Sequence, residues 1–127
     1  MADRRKIFVF GSNLAGRHGL GAALFASRNH GAIYGQGAGL QGDSYAIPTK
    51  NHDLKTLPLE VVARYVNVFL AFAGQHPELE FNVTRVGCGL AGYKDNDVGP
   101  LFAGAPDNCI LPDGWGAKPQ EQDEGSK

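Results

Sequence analysis

The sequence predicts one α/β layered domain, with a mostly parallel or mixed sheet flanked by helices in three layers. Three observations carry this expectation. Short apolar runs of strand type alternate with segments of helical period. Glycine-rich loops follow the runs, and 127 residues suffice for a single compact core.

The elements follow in order. Ile7, Phe8, Val9 and Phe10 are β-branched or aromatic and stop abruptly at Gly11, as a buried strand does. Residues 20–30 then take on a helical pattern, with Gly31 as its C-terminal stop. A glycine-rich connection over 31–42 leads to a short strand at 44–47, stopped by Pro48. Thr56 is placed to cap the next helix, with Pro58 in its first turn. Leu59, Val62, Tyr65 or Val66, Phe69 and Phe72 recur at helical spacing, so one face packs on the sheet and the helix ends near Gly74. A third strand is expected at 80–86, a short helix around 96–102, and a last strand near 108–111. The domain is assigned to residues 1–115. Residues 116–127, polar and poor in apolar side chains, read as a disordered tail.

Composition narrows the class. The 18 glycines cluster in 11–42 and 87–104 without a period, which points to functional loops rather than low complexity. A net charge of −1 offers no basic surface for non-specific nucleic-acid binding. No apolar stretch is long enough to span a membrane, and the charged start is not followed by a signal-peptide core. Cys88 and Cys109 make no disulfide framework, so reducing cytosol is the expected compartment. Without a secretory signal the sequon Asn82-Val83-Thr84 carries no weight. His18, His30, His52 and His76 lack metal-ligand spacing, and no metal or cofactor is expected.

The functional expectation comes from the first strand, its glycine loop and the helix after it. Gly11, Gly16, Gly19 and Gly21 permit tight turns and close backbone approach. With a helix N-terminus behind them, they make an anion cradle suited to a nucleotide diphosphate. Gly19-Leu20-Gly21 lacks the third glycine of the dinucleotide fingerprint, and there is no Gly-Lys-Ser/Thr of a P-loop. In open α/β sheets ligands bind beyond the carboxyl ends of strands. Three loops start there, at 11–21, 48–53 and 87–93, and are expected to converge. Lys50 is either a site residue or an ordinary solvated lysine. Cys88, between two glycines, reads as a packed thiol rather than a nucleophile. Tyr34, Tyr45 and Tyr93 read as core or rim, and His18 as a phosphate contact or a surface residue.

Taken together the motifs resemble the macrodomains, which bind ADP-ribose. Asn13, Gly16, Gly19, Gly21 and Ala23 form an Asn-x-x-Gly-x-x-Gly-x-Gly-x-Ala pattern. It is similar to the loop and helix start of the branch that removes ADP-ribose from DNA or acidic protein side chains. Pro48-Thr49-Lys50 resembles that branch's Pro-Thr-Lys element, and Gly87-Cys88-Gly89-Leu90-Ala91-Gly92 its Gly-Cys-Gly-Leu-x-Gly loop. The three occur in the family's order over residues 7–111, and the chain is also similar to short phage and bacterial proteins of this type.

The resemblance implies roles. Asn13 would hydrogen-bond the distal ribose, and Gly19 and Gly21 would let the backbone wrap the diphosphate. Residues 87–92 would close its second side, with Tyr93 stacking near the ribose. In the resembling hydrolases the lysine at the position of Lys50 attacks the anomeric carbon of the distal ribose, which requires a neutral amine. The protein-directed members carry an aspartate where this chain has Ala91, and the DNA-directed members a small residue. Asp95 and Asp97 would substitute only if the backbone turned them back. The implied partner is therefore ADP-ribose or an ADP-ribosylated macromolecule. Hydrolysis through Lys50 stands beside non-catalytic binding of ADP-ribose-derived nucleotides, and a cleft reused for assembly is a third reading.

Overall fold

The computed structural model describes residues 4–116. Nearly all of the expected polar tail, 117–127, lies outside the described residues. Five strands form a mixed sheet: β1 (Arg5–Asn13), β2 (Gly39–Gln41), β3 (Ser44–Lys50), β4 (Leu79–Val83) and β5 (Cys109–Ile110). Their spatial order is β2-β3-β1-β4-β5, with only the β2/β3 pair antiparallel. Three helices accompany them, α1 (Gly21–Asn29), α2 (Leu59–Gly74) and α3 (Asp95–Val98), the last running into a 3-10 turn at Gly99–Phe102.

The two-residue period of the strands sorts their side chains between two faces. Ile7, Val9, Tyr45, Ile47, Phe81 and Val83 point to one side, where α2 lays down Val62, Val66, Phe69 and Ala73. Phe69 centres this layer, with Tyr45 at 5.0 Å and Phe81 at 5.3 Å, both edge-on. Phe10 and Ala46 point the other way and meet Ala23 and Ala26 of α1. The α/β layering expected from the alternating pattern is therefore present.

Four expectations about the elements need correction. Pro48 does not stop β3, which continues to Lys50. The register with β1 shifts at Ser12/Asn13, opposite Pro48, so the irregularity falls where proline has no N–H to offer. The Ser12 carbonyl accepts the Thr49 hydroxyl there at 3.2 Å. Residues 31–42 hold a short edge strand, β2, where a plain connection was expected. β4 ends at Val83 rather than 86, because the Thr84 N–H and hydroxyl both turn back to the Val9 carbonyl. Thr56 does not cap α2. Pro58 holds the cap position, and the Thr56 hydroxyl donates to the Ala91 carbonyl at 2.8 Å instead.

The topology locates the cleft. From β1 the chain passes through α1 to β3 on one side, then crosses through α2 to β4 on the other. Connections leave neighbouring strand ends in opposite directions, and that divergence opens a crevice beyond the carboxyl ends.

Candidate functional site

A cleft of about 700 Å³ occupies that crevice. Its floor is built from the ends of three parallel strands: Gly11, Ser12 and Asn13 of β1, Thr49 and Lys50 of β3, and Thr84 and Arg85 just after β4. The first turn of α1 forms one wall and residues 87–91 the other. The three glycine-bearing or proline-bearing loops do converge. A Cβ on Gly11 would stand 3.2 Å from the Gly87 nitrogen, so the bare glycine lets the 87–91 loop cross close over β1.

Most hydroxyl and amide side chains on the floor are already engaged. The Ser12 hydroxyl donates to the Gly37 carbonyl, and Thr49 donates to Ser12. The Asn13 amide clamps its own loop, donating from Nδ2 to the Arg17 carbonyl and accepting the Arg17 N–H at Oδ1, both at 2.9 Å. What the cleft presents is positive. Arg17, Lys50 and Arg85 line it, and among the described residues no carboxylate does. The first N–H groups of α1 have no intrahelical partner, and the Leu20 cap position supplies no side-chain acceptor. Gly21, Ala22 and Ala23, which carry those groups, all line the cleft. Unpaired donors, a helix dipole and three cations together favour an anionic ligand.

The rim is apolar. Leu20 and Leu90 are each 66% exposed, Tyr34 68% and Leu54 39%, and all four line the cleft. Leu54 is a non-glycine residue at positive φ, +63°. Asn51 holds it there, accepting the Asp53 and Lys55 N–H groups at Oδ1 and the Leu54 N–H at its carbonyl. A bulky side chain in that conformation costs about 1–3 kcal/mol. The two loops facing each other here are joined by the Thr56–Ala91 hydrogen bond and by the Tyr93 hydroxyl donating to the Leu57 carbonyl.

The expected site residues divide cleanly. Asn13, Gly19, Gly21, Ala23, Lys50, Gly87, Cys88, Gly89, Leu90 and Ala91 all line the cleft. Gly16, Gly92 and Tyr93 do not line it. Gly16 serves packing: at φ +73° its backbone abuts Gly35, and a Cβ would fall 2.3 Å from the Gly35 carbonyl carbon. Tyr93 is tied down by its bond to Leu57. Asp95 and Asp97 stay outside the cleft: Asp95 pairs with Arg85 at 2.6 Å, and Asp97 accepts the Lys94 N–H. His18 is neither a surface residue nor a phosphate contact. At 2% exposure it donates from Nε2 to the Gln36 carbonyl and Gln41 Oε1, edge-on to Phe10.

Burial, followed by the negative charge of Asp95, raises the Cys88 thiol above its ordinary range. It therefore stays protonated at neutral pH, as suits a packed thiol rather than a nucleophile. Arg17, Leu54, Thr84 and Arg85 were not expected in the site, and Tyr34, read as core or rim, takes the rim. Arg17 and Arg85 carry a legible signal, since each is a cation within two residues of a cleft glycine or its loop. Leu54 carries none, because its place depends on how its loop folds back. No family model, curated protein or solved structure gives a significant match to the chain.

Proposed function

We propose that the cleft binds ADP-ribose and that the protein hydrolyses an ADP-ribosyl bond with Lys50 as nucleophile. One observation carries the reading: three strand-end loops with the expected motifs meet in one cleft that, among the described residues, is lined by three cations and no acid. Its volume of about 700 Å³ falls within the roughly 300–1,000 Å³ of small-molecule sites. The diphosphate would lie against the α1 N-terminus and the backbone of Gly19 and Gly21, opposed by residues 87–89. The apolar rim of Leu20, Tyr34, Leu54 and Leu90 offers surface to the faces of a purine.

In the reaction, Lys50 gives up its ammonium proton to solvent and the amine attacks the anomeric carbon of the distal ribose. The bond to the modified base or carboxylate breaks, and its electron pair leaves with that group. The new C–N bond is then broken by water, which restores the amine and frees ADP-ribose. Lys50 sits at the end of β3 beside Asn13, its carbonyl fixed by the Leu14 N–H at 2.9 Å, so the side chain starts from a rigid strand.

A second reading, binding without turnover, is favoured by Ala91 and by the lack, among the described residues, of any lining carboxylate to activate that water. Lys50→Ala separates the two. If hydrolysis is the function, this variant retains ADP-ribose binding and loses release of ADP-ribose from modified DNA or protein. A wild-type chain that binds but releases nothing supports the second reading, and undiminished turnover in the variant removes Lys50 from the mechanism.

A further inference from the structure

One carboxylate oxygen outside the cleft gathers three side chains from two segments, the loop after β4 and the stretch after β5. Asp95 Oδ1 accepts from Arg85 Nη1 at 2.6 Å and from the Trp115 indole Nε1 at 2.9 Å, and lies 3.9 Å from Cys88 Sγ. Arg85 and Cys88 line the cleft, whereas Trp115 lies in the segment after β5. Trp115 is itself firmly seated. It is 7% exposed, its ring lies 5.3 Å from Phe102, and it packs on Gly99, where a Cβ would come within 3.1 Å of it. The indole N–H, followed by Arg85, holds the Asp95 carboxyl below its ordinary range, so the anion persists at neutral pH.

Arginine has five N–H donors in a rigid fork. Among the described residues, Arg85 spends one nitrogen on Asp95, and the others remain for an anion in the cleft. A long side chain ordered before the ligand arrives does not have to be ordered by it. We infer that Asp95 is a positioning residue that aims Arg85 at the ligand's diphosphate, and that Trp115 fixes Asp95, making the segment after β5 part of the binding apparatus. The inference rests on reading the cleft as an ADP-ribose site.

A double-mutant cycle on ADP-ribose affinity tests it. Arg85→Gln removes the cation and weakens binding roughly tenfold, the effect of losing a charge-assisted hydrogen bond. Trp115→Phe keeps an aromatic ring, loses the indole N–H, and weakens binding roughly threefold to fivefold. Because Trp115 acts through Arg85, the double variant binds no more weakly than Arg85→Gln alone. Additive losses, or wild-type affinity in Trp115→Phe, overturn the coupling. Thermal melts confirm that each variant is folded, and Asp95→Asn takes the place of Trp115→Phe if that variant does not fold. The chain has one tryptophan, so its emission gives a second readout. Saturation with ADP-ribose shifts the emission in the unaltered chain and not in Arg85→Gln at equal occupancy, and an equal shift or none in both overturns the coupling. Failure of the unaltered chain to bind ADP-ribose overturns the proposed function, and only with it the coupling.

Discussion

Alanine should destabilise the fold most at Gly16, less at Gly21 and not at all at Gly19, for reasons that differ at each position. At Gly16 φ is +73°, and a Cβ would stand 2.3 Å from the Gly35 carbonyl carbon and 2.5 Å from the Gln36 nitrogen. Both are backbone atoms, held in place by the Gly35 N–H bond to the Gly16 carbonyl at 2.8 Å, so neither can rotate aside. The left-handed conformation costs alanine about 1–2 kcal/mol, and forced overpacking adds about 1–3 kcal/mol. Gly21 shares the positive φ, +58°, but faces open space, so only the conformational cost applies there. Gly19 has neither a left-handed φ nor any atom within 4 Å of a built Cβ. Alanine there is neutral, or stabilising by up to about 1 kcal/mol through the unfolded chain.

Thermal unfolding followed by circular dichroism reads all three. For a domain of this size about 1 kcal/mol moves the midpoint by roughly 4 °C. Gly16→Ala should therefore melt about 8 °C or more below wild type, Gly21→Ala about 4–8 °C below, and Gly19→Ala at or slightly above it. A Gly16→Ala midpoint within a degree or two of wild type would refute the reasoning. Gly19→Ala also separates fold from site: its methyl enters the proposed diphosphate cradle, so ADP-ribose affinity falls while the midpoint holds.

Other consequences can be measured independently. Asn13→Ala removes both hydrogen bonds to Arg17, so urea unfolding should show a loss of about 1–3 kcal/mol, and an unchanged midpoint would mean the amide does not clamp the loop. Cys109 is 9% exposed and burial lifts its thiol to about 11. Alkylation at pH 8 followed by mass spectrometry should therefore label it only after unfolding, with Cys88 labelled slowly in the native chain. The Asp95 carboxyl titrates below the ordinary 3.8 when folded. Its stabilisation is therefore complete above that value and is lost as pH falls through the lower folded pKa. Melting midpoints of wild type and Asp95→Asn should differ most above pH 4 and converge in stronger acid, and a gap that widens on acidification would contradict the ion pair.

The parts of the fold legible in the sequence are those set by local period and apolar content. The run from Ile7 to Phe10 marks the central strand, and the Leu59 to Phe72 stripe marks the helix covering it, because burying one face demands those side chains at those spacings. The strand Gly39–Gln41 was not legible, since three residues beginning with glycine carry no period. Pro48 misled because its missing N–H matters only where the ladder asks for one, and the register shift at Ser12/Asn13 removes that demand. Thr56 and His18 found long-range partners, Ala91 on one hand and Gln36 and Gln41 on the other, which no neighbouring residue announces. The site followed the same division. Its glycine loops and Lys50 were visible as motifs at strand ends, with Arg85 two residues before a cleft glycine, whereas Leu54 depends on a turn closed by Asn51.

The proposal that the cleft is an ADP-ribose site is tested most directly by isothermal titration calorimetry of ADP-ribose against the purified chain, with AMP and NAD as controls. Micromolar binding of ADP-ribose with clearly weaker AMP is the predicted result, because the cations and the α1 N-terminus act on the diphosphate. No detectable heat with ADP-ribose, or AMP bound equally well, would contradict it.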